Sequence, residues 1–137
     1  MSKYFKIADE FYKIYVPYFN QLVEHPEVGG KIQENELKLQ FFITDLKARI
    51  MLDCCNVNSK VICGYNDLEA DIKMWLKSDS AHRLWLGKLT FNPAIMSREI
   101  KVLGPVDKLK GLSGIFKPAA DIYKKHLLKM GYKDLLR

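Results

Sequence analysis

None of the short signatures of common catalytic sites occurs in this chain. There is no Gly-x-Ser-x-Gly elbow; Gly111-Leu112-Ser113-Gly114 has the wrong spacing and reads as a helix interruption. There is no His-Glu-x-x-His pair and no glycine-rich phosphate loop. His25, His82 and His126 fall in a loop and on two predicted helices, without metal-ligand spacing. Cysteine is scarce, with three in all, and Cys54 and Cys55 are adjacent. An odd count with a neighbouring pair is a poor disulfide framework, and no Cys-x-x-Cys offers itself to zinc. Together with Cys63 they read as small buried hydrophobes, with a reactive thiol as the alternative. Glu69 and Asp71, two apart on one predicted strand, are spaced for acid–base work. Alternation turns them away from Ala70, Ile72 and Met74, so they read as solvent-facing strand residues. The expectation is a non-enzyme with no cofactor and no metal.

Long apolar runs are also missing. Nothing approaches the roughly 20 residues of a membrane span. The opening MSKYFKIADEFY carries acids and no apolar block, and the closing KDLLR carries no address or lipidation signal. A cytoplasmic location is the expectation. Net charge is missing from most of the chain too. Residues 1–99 hold equal numbers of basic and acidic groups, so the +6 of the whole chain sits in residues 100–137. Lys108, Lys110, Lys117, Lys124, Lys125 and Lys129 dominate that tail. Such a patch attracts anions: an anionic membrane surface, acyl-CoA phosphates or nucleic acid. A merely solvated lysine face is the other reading.

What the chain does have is enough apolar matter for a core. It is 48% hydrophobic over 137 residues, which fits one domain. Residues 3–24 predict a helix, with Ile7, Phe11, Ile14, Tyr15, Tyr18 and Leu22 on one stripe, widened by Phe5, Tyr12 and Phe19. Pro17 predicts a kink or a split in it. Seven aromatics between Tyr4 and Phe19 suit either docking on a sheet or a membrane interface. After a loop at His25-Pro26 and Gly29-Gly30, alternation predicts strands in ELKLQFFITD, KARIMLD, KVICGY and ADIKMWLK. Their short turns predict a four-strand antiparallel meander over 35–77. Ser78 or Asp79 reads as the N-cap of a helix through Leu86, closed by Gly87. A short helix follows over 92–97, then a fifth strand from Glu99 to Leu103. Gly104-Pro105 leads into a helix carrying Val106, Leu109 and Leu112, and Pro118 opens a last helix bearing Ala119, Tyr123, Leu127 and Met130.

The segment from Glu69 to Gly104 carries a further pattern: Glu69-Ala70-Asp71, Ser78-Asp79, Gly87-Lys88-Leu89, Ala94-Ile95-Met96-Ser97 and Ile100-Lys101-Val102-Leu103-Gly104. This order resembles the sterol carrier protein type-two family, over most of residues 35–130. The chain departs from the family's habit in several places. Thr90-Phe91 delays the Asn-Pro that follows Gly-Lys-Leu, Arg98-Glu99 stands where Gly-Lys is usual, and the first helix is unusually aromatic.

The resemblance implies an α+β fold in one domain, 1–137. It is divided into a leading helix and loop (1–30), the strands (35–77), and the later helices with the fifth strand (78–131). A five-stranded, mainly antiparallel sheet would be covered on one face by helices, with an apolar tunnel between the layers. The implied tunnel walls are Ile50, Leu52, Met74, Leu76, Trp85, Phe91 and Met96. Ile100, Val102, Leu109, Leu112, Phe116 and Tyr123 complete them, and for each of these ordinary core packing is the plainer reading. Gly111, Gly114 and Pro118 mark a hinge for release. The implied function is non-catalytic lipid binding or transfer, the ligand being a fatty acid, acyl-CoA, phospholipid or sterol-like molecule. The alternatives are a basic interaction module or an accessory domain for a lipid-metabolising enzyme. The tail lacks the glycine-aromatic motifs of RNA-binding sheets, so no nucleic acid is expected.

Overall fold

The computed structural model describes residues 5–30, 38–53, 60–63, 70–104 and 113–136. Helix α1 spans Ala8–Glu24. Strands β1 (Lys38–Ile43), β2 (Ala48–Asp53), β3 (Lys60–Cys63) and β4 (Ile72–Leu76) follow. Then come α2 (Ser78–Trp85), α3 (Phe91–Met96), β5 (Lys101–Leu103) and α4 (Phe116–Lys129). Short 3-10 turns at Ser113–Ile115 and Lys133–Leu136 flank α4. The predicted helix carrying Val106, Leu109 and Leu112 lies outside the described residues.

The strands form one mixed sheet in the order β3-β2-β1-β4-β5. The four-strand meander is corrected here: β4 does not follow β3 at the edge. It crosses to the far side of β1 and pairs with it in parallel, Phe41 opposite Met74. The other three pairings are antiparallel. Local alternation says which residues share a face, but it cannot say which neighbour a strand takes. One face collects Leu39, Phe41, Ile43, Ile50, Leu52, Ile72, Met74 and Leu76, all buried, as a period of two requires.

Helix α1 docks on that face through its aromatic stripe. Phe11, Tyr15, Tyr18 and Phe19 are buried, and the Tyr12 hydroxyl accepts the Arg49 N–H at 2.9 Å. Pro17 does not split it; α1 runs through as one helix. Ile7 is the N-cap rather than part of the stripe, and is exposed. Phe5 precedes the helix but is still buried, edge-on to Phe11 at 5.4 Å. The expected cap of α2 is also corrected. Lys77 occupies the N-cap position without a side-chain bond. The cap comes from the β1–β2 turn, where Asp45 accepts the Ser78 N–H at 2.8 Å and its hydroxyl at 2.7 Å. A carboxylate there also complements the positive end of the helix.

Candidate functional site

The layer between sheet and helices is filled by rings. Trp85, at the end of α2, is the hub, with centroids of Tyr18, Phe19, Phe41 and Phe116 5.4 to 5.9 Å away. Phe11 stacks on Tyr15 at 4.1 Å, and Tyr18 meets Tyr123 at 4.6 Å. Of the residues expected to wall a tunnel, Ile50, Leu52, Met74, Leu76, Trp85, Ile100 and Tyr123 are brought together in this core. Val102 and Phe116 pack half-buried at its border. Met96 is not among them: it is 86% exposed on the outside of α3. The Phe91 side chain, Leu109 and Leu112 lie outside the described residues.

A polar chain crosses this apolar layer. His82 Nε2 lies 2.6 Å from the Leu135 carbonyl, and Nδ1 lies 2.8 Å from the Tyr123 hydroxyl. Tyr123 Oη is 3.1 Å from Tyr15 Oη. A carbonyl only accepts, so Nε2 carries the proton. Burial lowers the His82 pKa to about 4, against a partial rise from the Leu135 carbonyl, so the ring is neutral at pH 7. Nδ1 then accepts from Tyr123, which accepts from Tyr15. Burial also holds the Tyr15 and Tyr123 phenols well above their usual range. The chain ties α1, α2, α4 and the last 3-10 turn together. His126 does the same nearby, donating from Nε2 to the Ile14 carbonyl at 2.9 Å and accepting from Gln21 at 2.9 Å. Sequence reasoning assigned these histidines no role, because their partners lie 41 to 112 residues away.

A concave feature that joins apolar and charged groups lies between α2 and α4. It is a cleft of about 460 Å³. Its apolar wall is Leu84, Leu86, Leu89, Phe116 and Ala120, and Lys117, Lys124 and Asp121 stand along it. Gly87 turns the chain here with φ +81°, which favours glycine, and its N–H closes α2 on the Leu84 carbonyl. Phe116 both lines the cleft and touches Trp85, so it divides the cleft from the core. A second cleft of about 460 Å³ lies at the β5 edge, lined by Ile95, Arg98, Ile100, Lys101 and Val102. Lys117, Lys124, Lys125 and Lys129 are exposed on α4, while Lys108 and Lys110 lie outside the described residues. Asp71 binds the sheet itself, accepting the Lys38 N–H at 2.9 Å; its supposed companion Glu69 lies outside the described residues. Among the described residues no cluster of three His, Cys, Asp or Glu could hold a metal ion.

Residues 19–117 match the SCP-2 sterol transfer family. The chain belongs to that family. Sterol carrier protein 2 from Yarrowia lipolytica, in its apo form, has the same fold at a TM-score of 0.62 and 22% identity, covering 88% of this chain and 97% of that one. The sterol carrier protein domain 2 of Helicoverpa armigera matches at 0.64 and 18% identity, over 78% of this chain and 86% of that one. A segment of the stereoselective inverting sec-alkylsulfatase Pisa1 from a Pseudomonas species matches at 0.53 and 24% identity, over 63% of this chain. This chain spans only 14% of that sulfatase's length. No curated protein sequence matches the chain. The glycines of the resemblance have structural duties in this SCP-2 domain. At Gly104, a β-carbon would stand 2.8 Å from the Asp71 carbonyl oxygen and 2.9 Å from Ile72. That close approach lets the end of β5 lie against the start of β4.

Proposed function

We propose that this chain binds and carries an anionic amphiphile, such as a fatty acid, an acyl-CoA or a phospholipid. The α2–α4 cleft carries the reading. It joins an apolar wall to two lysines in one concavity, and its volume falls in the usual range for small-molecule sites. The ligand's apolar body lies along Leu84, Leu89 and Phe116, and its anionic end meets Lys117 and Lys124. Burial of each methylene contributes about 0.8 kcal/mol, so a tail of about a dozen carbons gains roughly 10 kcal/mol before ordering costs. No bond is made or broken. A longer tail reaches the layer between sheet and helices by displacing Phe116 from Trp85. The expected wall residues Ile50, Leu52, Met74, Leu76, Ile100 and Tyr123 would then form its lining. Gly114 and Pro118, either side of Phe116, supply the hinge. We place this activity in the cytoplasm, in keeping with an odd number of cysteines and an adjacent pair.

A second reading is an accessory domain of a lipid-metabolising enzyme, and the fold's likeness to one segment of a far longer alkylsulfatase supports it. Native mass spectrometry of the purified protein, followed by titration with a fluorescent fatty acid, tests the first reading. Co-purified lipid, and weaker uptake by a Lys117→Glu/Lys124→Glu variant, is the expected result. An empty protein that ignores the probe sinks it.

A further inference from the structure

The sheet face turned away from the helices carries an ordered row of side chains. Phe42 and Trp75 stack at 5.1 Å with 9° between their planes. Arg49 lies 5.1 Å from the Phe42 centroid, and the Lys101 ammonium 5.3 Å from that of Trp75. Strand register makes these one line across four strands: Arg49 opposite Phe42, Phe42 opposite Trp75, Trp75 opposite Lys101. One row along, Lys73 faces Leu103, which is 61% exposed. Around the β5 edge the second cleft adds Arg98, which lines it together with Lys101. Toward β2 the same face is closed, since Met51 and Gln40 are buried. The open part is therefore the β4–β5 side.

We propose that this side docks on an anionic phospholipid bilayer. Its charge is complementary: Lys73, Lys101 and Arg98 lie where lipid phosphates would sit. Its apolar groups are placed to enter the interface, Leu103 standing out from the surface and Trp75 half-buried beside the Lys101 ammonium. The ring geometry decides against single-stranded nucleic acid. A base needs an open aromatic face, and here the two rings cover each other while a cation covers each outer side. Arg98 adds an independent point. It is held at φ +67°, where an L side chain is strained and glycine is not, so the local backbone gains nothing from an arginine. This surface needs no occupant in the α2–α4 cleft, and the two readings fail separately.

Flotation with vesicles of phosphatidylcholine, with and without phosphatidylserine, tests the surface. Binding is expected only with phosphatidylserine and should fall with salt. Lys73→Glu/Lys101→Glu should weaken it about tenfold or more, while Lys125→Glu/Lys129→Glu, on exposed α4 positions outside the cleft, leaves it in place. Arg98→Gly should keep or raise the thermal midpoint and still weaken binding, a combination that a purely structural role does not give. A readout on the unmutated protein guards against misfolded variants: brominated lipid should quench tryptophan fluorescence, and Trp75→Phe should remove that quenching. The proposal is overturned by unquenched fluorescence, by loss of binding with the α4 lysines alone, or by single-stranded RNA competing through Lys73 and Lys101.

Discussion

Gly104 shows how little room the β4–β5 contact has. Replacing it with alanine puts a methyl group against backbone rather than against a movable side-chain tip. Gly104→Ala should therefore cost about 1 to 3 kcal/mol, read as a lower denaturation midpoint with an unchanged slope. His82 makes a different residue-scale prediction. In the unfolded chain its ring protonates near pH 6.5, and in the folded protein near 4, because burial opposes the charge. Between those values the unfolded state binds the extra proton. Its contribution to stability is thus complete above about pH 6.5 and is lost as pH falls toward 4, by up to roughly 3 kcal/mol. Urea unfolding across that window should show the slope, and His82→Gln should flatten it at a cost in overall stability. A slope that survives the substitution would assign it to other groups.

At the scale of elements, the joints are made by side chains distant in sequence. Asp45 caps α2 from 33 residues away and fixes the β1–β2 turn against the end of β4, where the Thr44 N–H donates to the Leu76 carbonyl at 2.9 Å. Asp45→Ala should cost about 1 kcal/mol, and Asp45→Asn should recover part of it, since an amide oxygen still accepts. An equal loss in both variants would show that the charge matters and the cap does not. Helix α1 has no side-chain cap, and Pro17 deprives it of one backbone bond. Its docking relies instead on buried rings and on the Tyr12, Tyr18 and His126 hydrogen bonds. An amphipathic helix draws most of its stability from such packing.

For the molecule as a whole, the aromatic layer is the feature that sets stability against ligand volume. Trp85 lies where sheet, α1 and α4 meet. Trp85→Ala should cost about 3 to 5 kcal/mol and leave a cavity between the layers. If a longer tail passes Phe116 into that space, the variant should hold a long-chain fatty-acid probe more tightly than the wild type, relative to a short-chain one. Equal preference would confine the ligand to the outer cleft.

Most element positions, and which face of each strand is buried, were legible in the order of residues. Leu39, Phe41 and Ile43, or Ile72, Met74 and Leu76, alternate too regularly for another assignment. That order also determined the family, through glycines and small motifs whose spacing reflects backbone needs such as those at Gly87 and Gly104. It could not determine that β4 pairs in parallel with β1, because alternation is the same for either neighbour. Nor could it show that Met96 points outward, since a six-residue helix carries too short a pattern to fix its facing. The polar chain through His82 and the cation–aromatic row through Trp75 were illegible for the same reason. Their members are scattered through the chain, and residues 1–99 carry no net charge. These follow from the packing of distant elements, because strand order and helix docking choose which distant side chains share one dielectric and one surface.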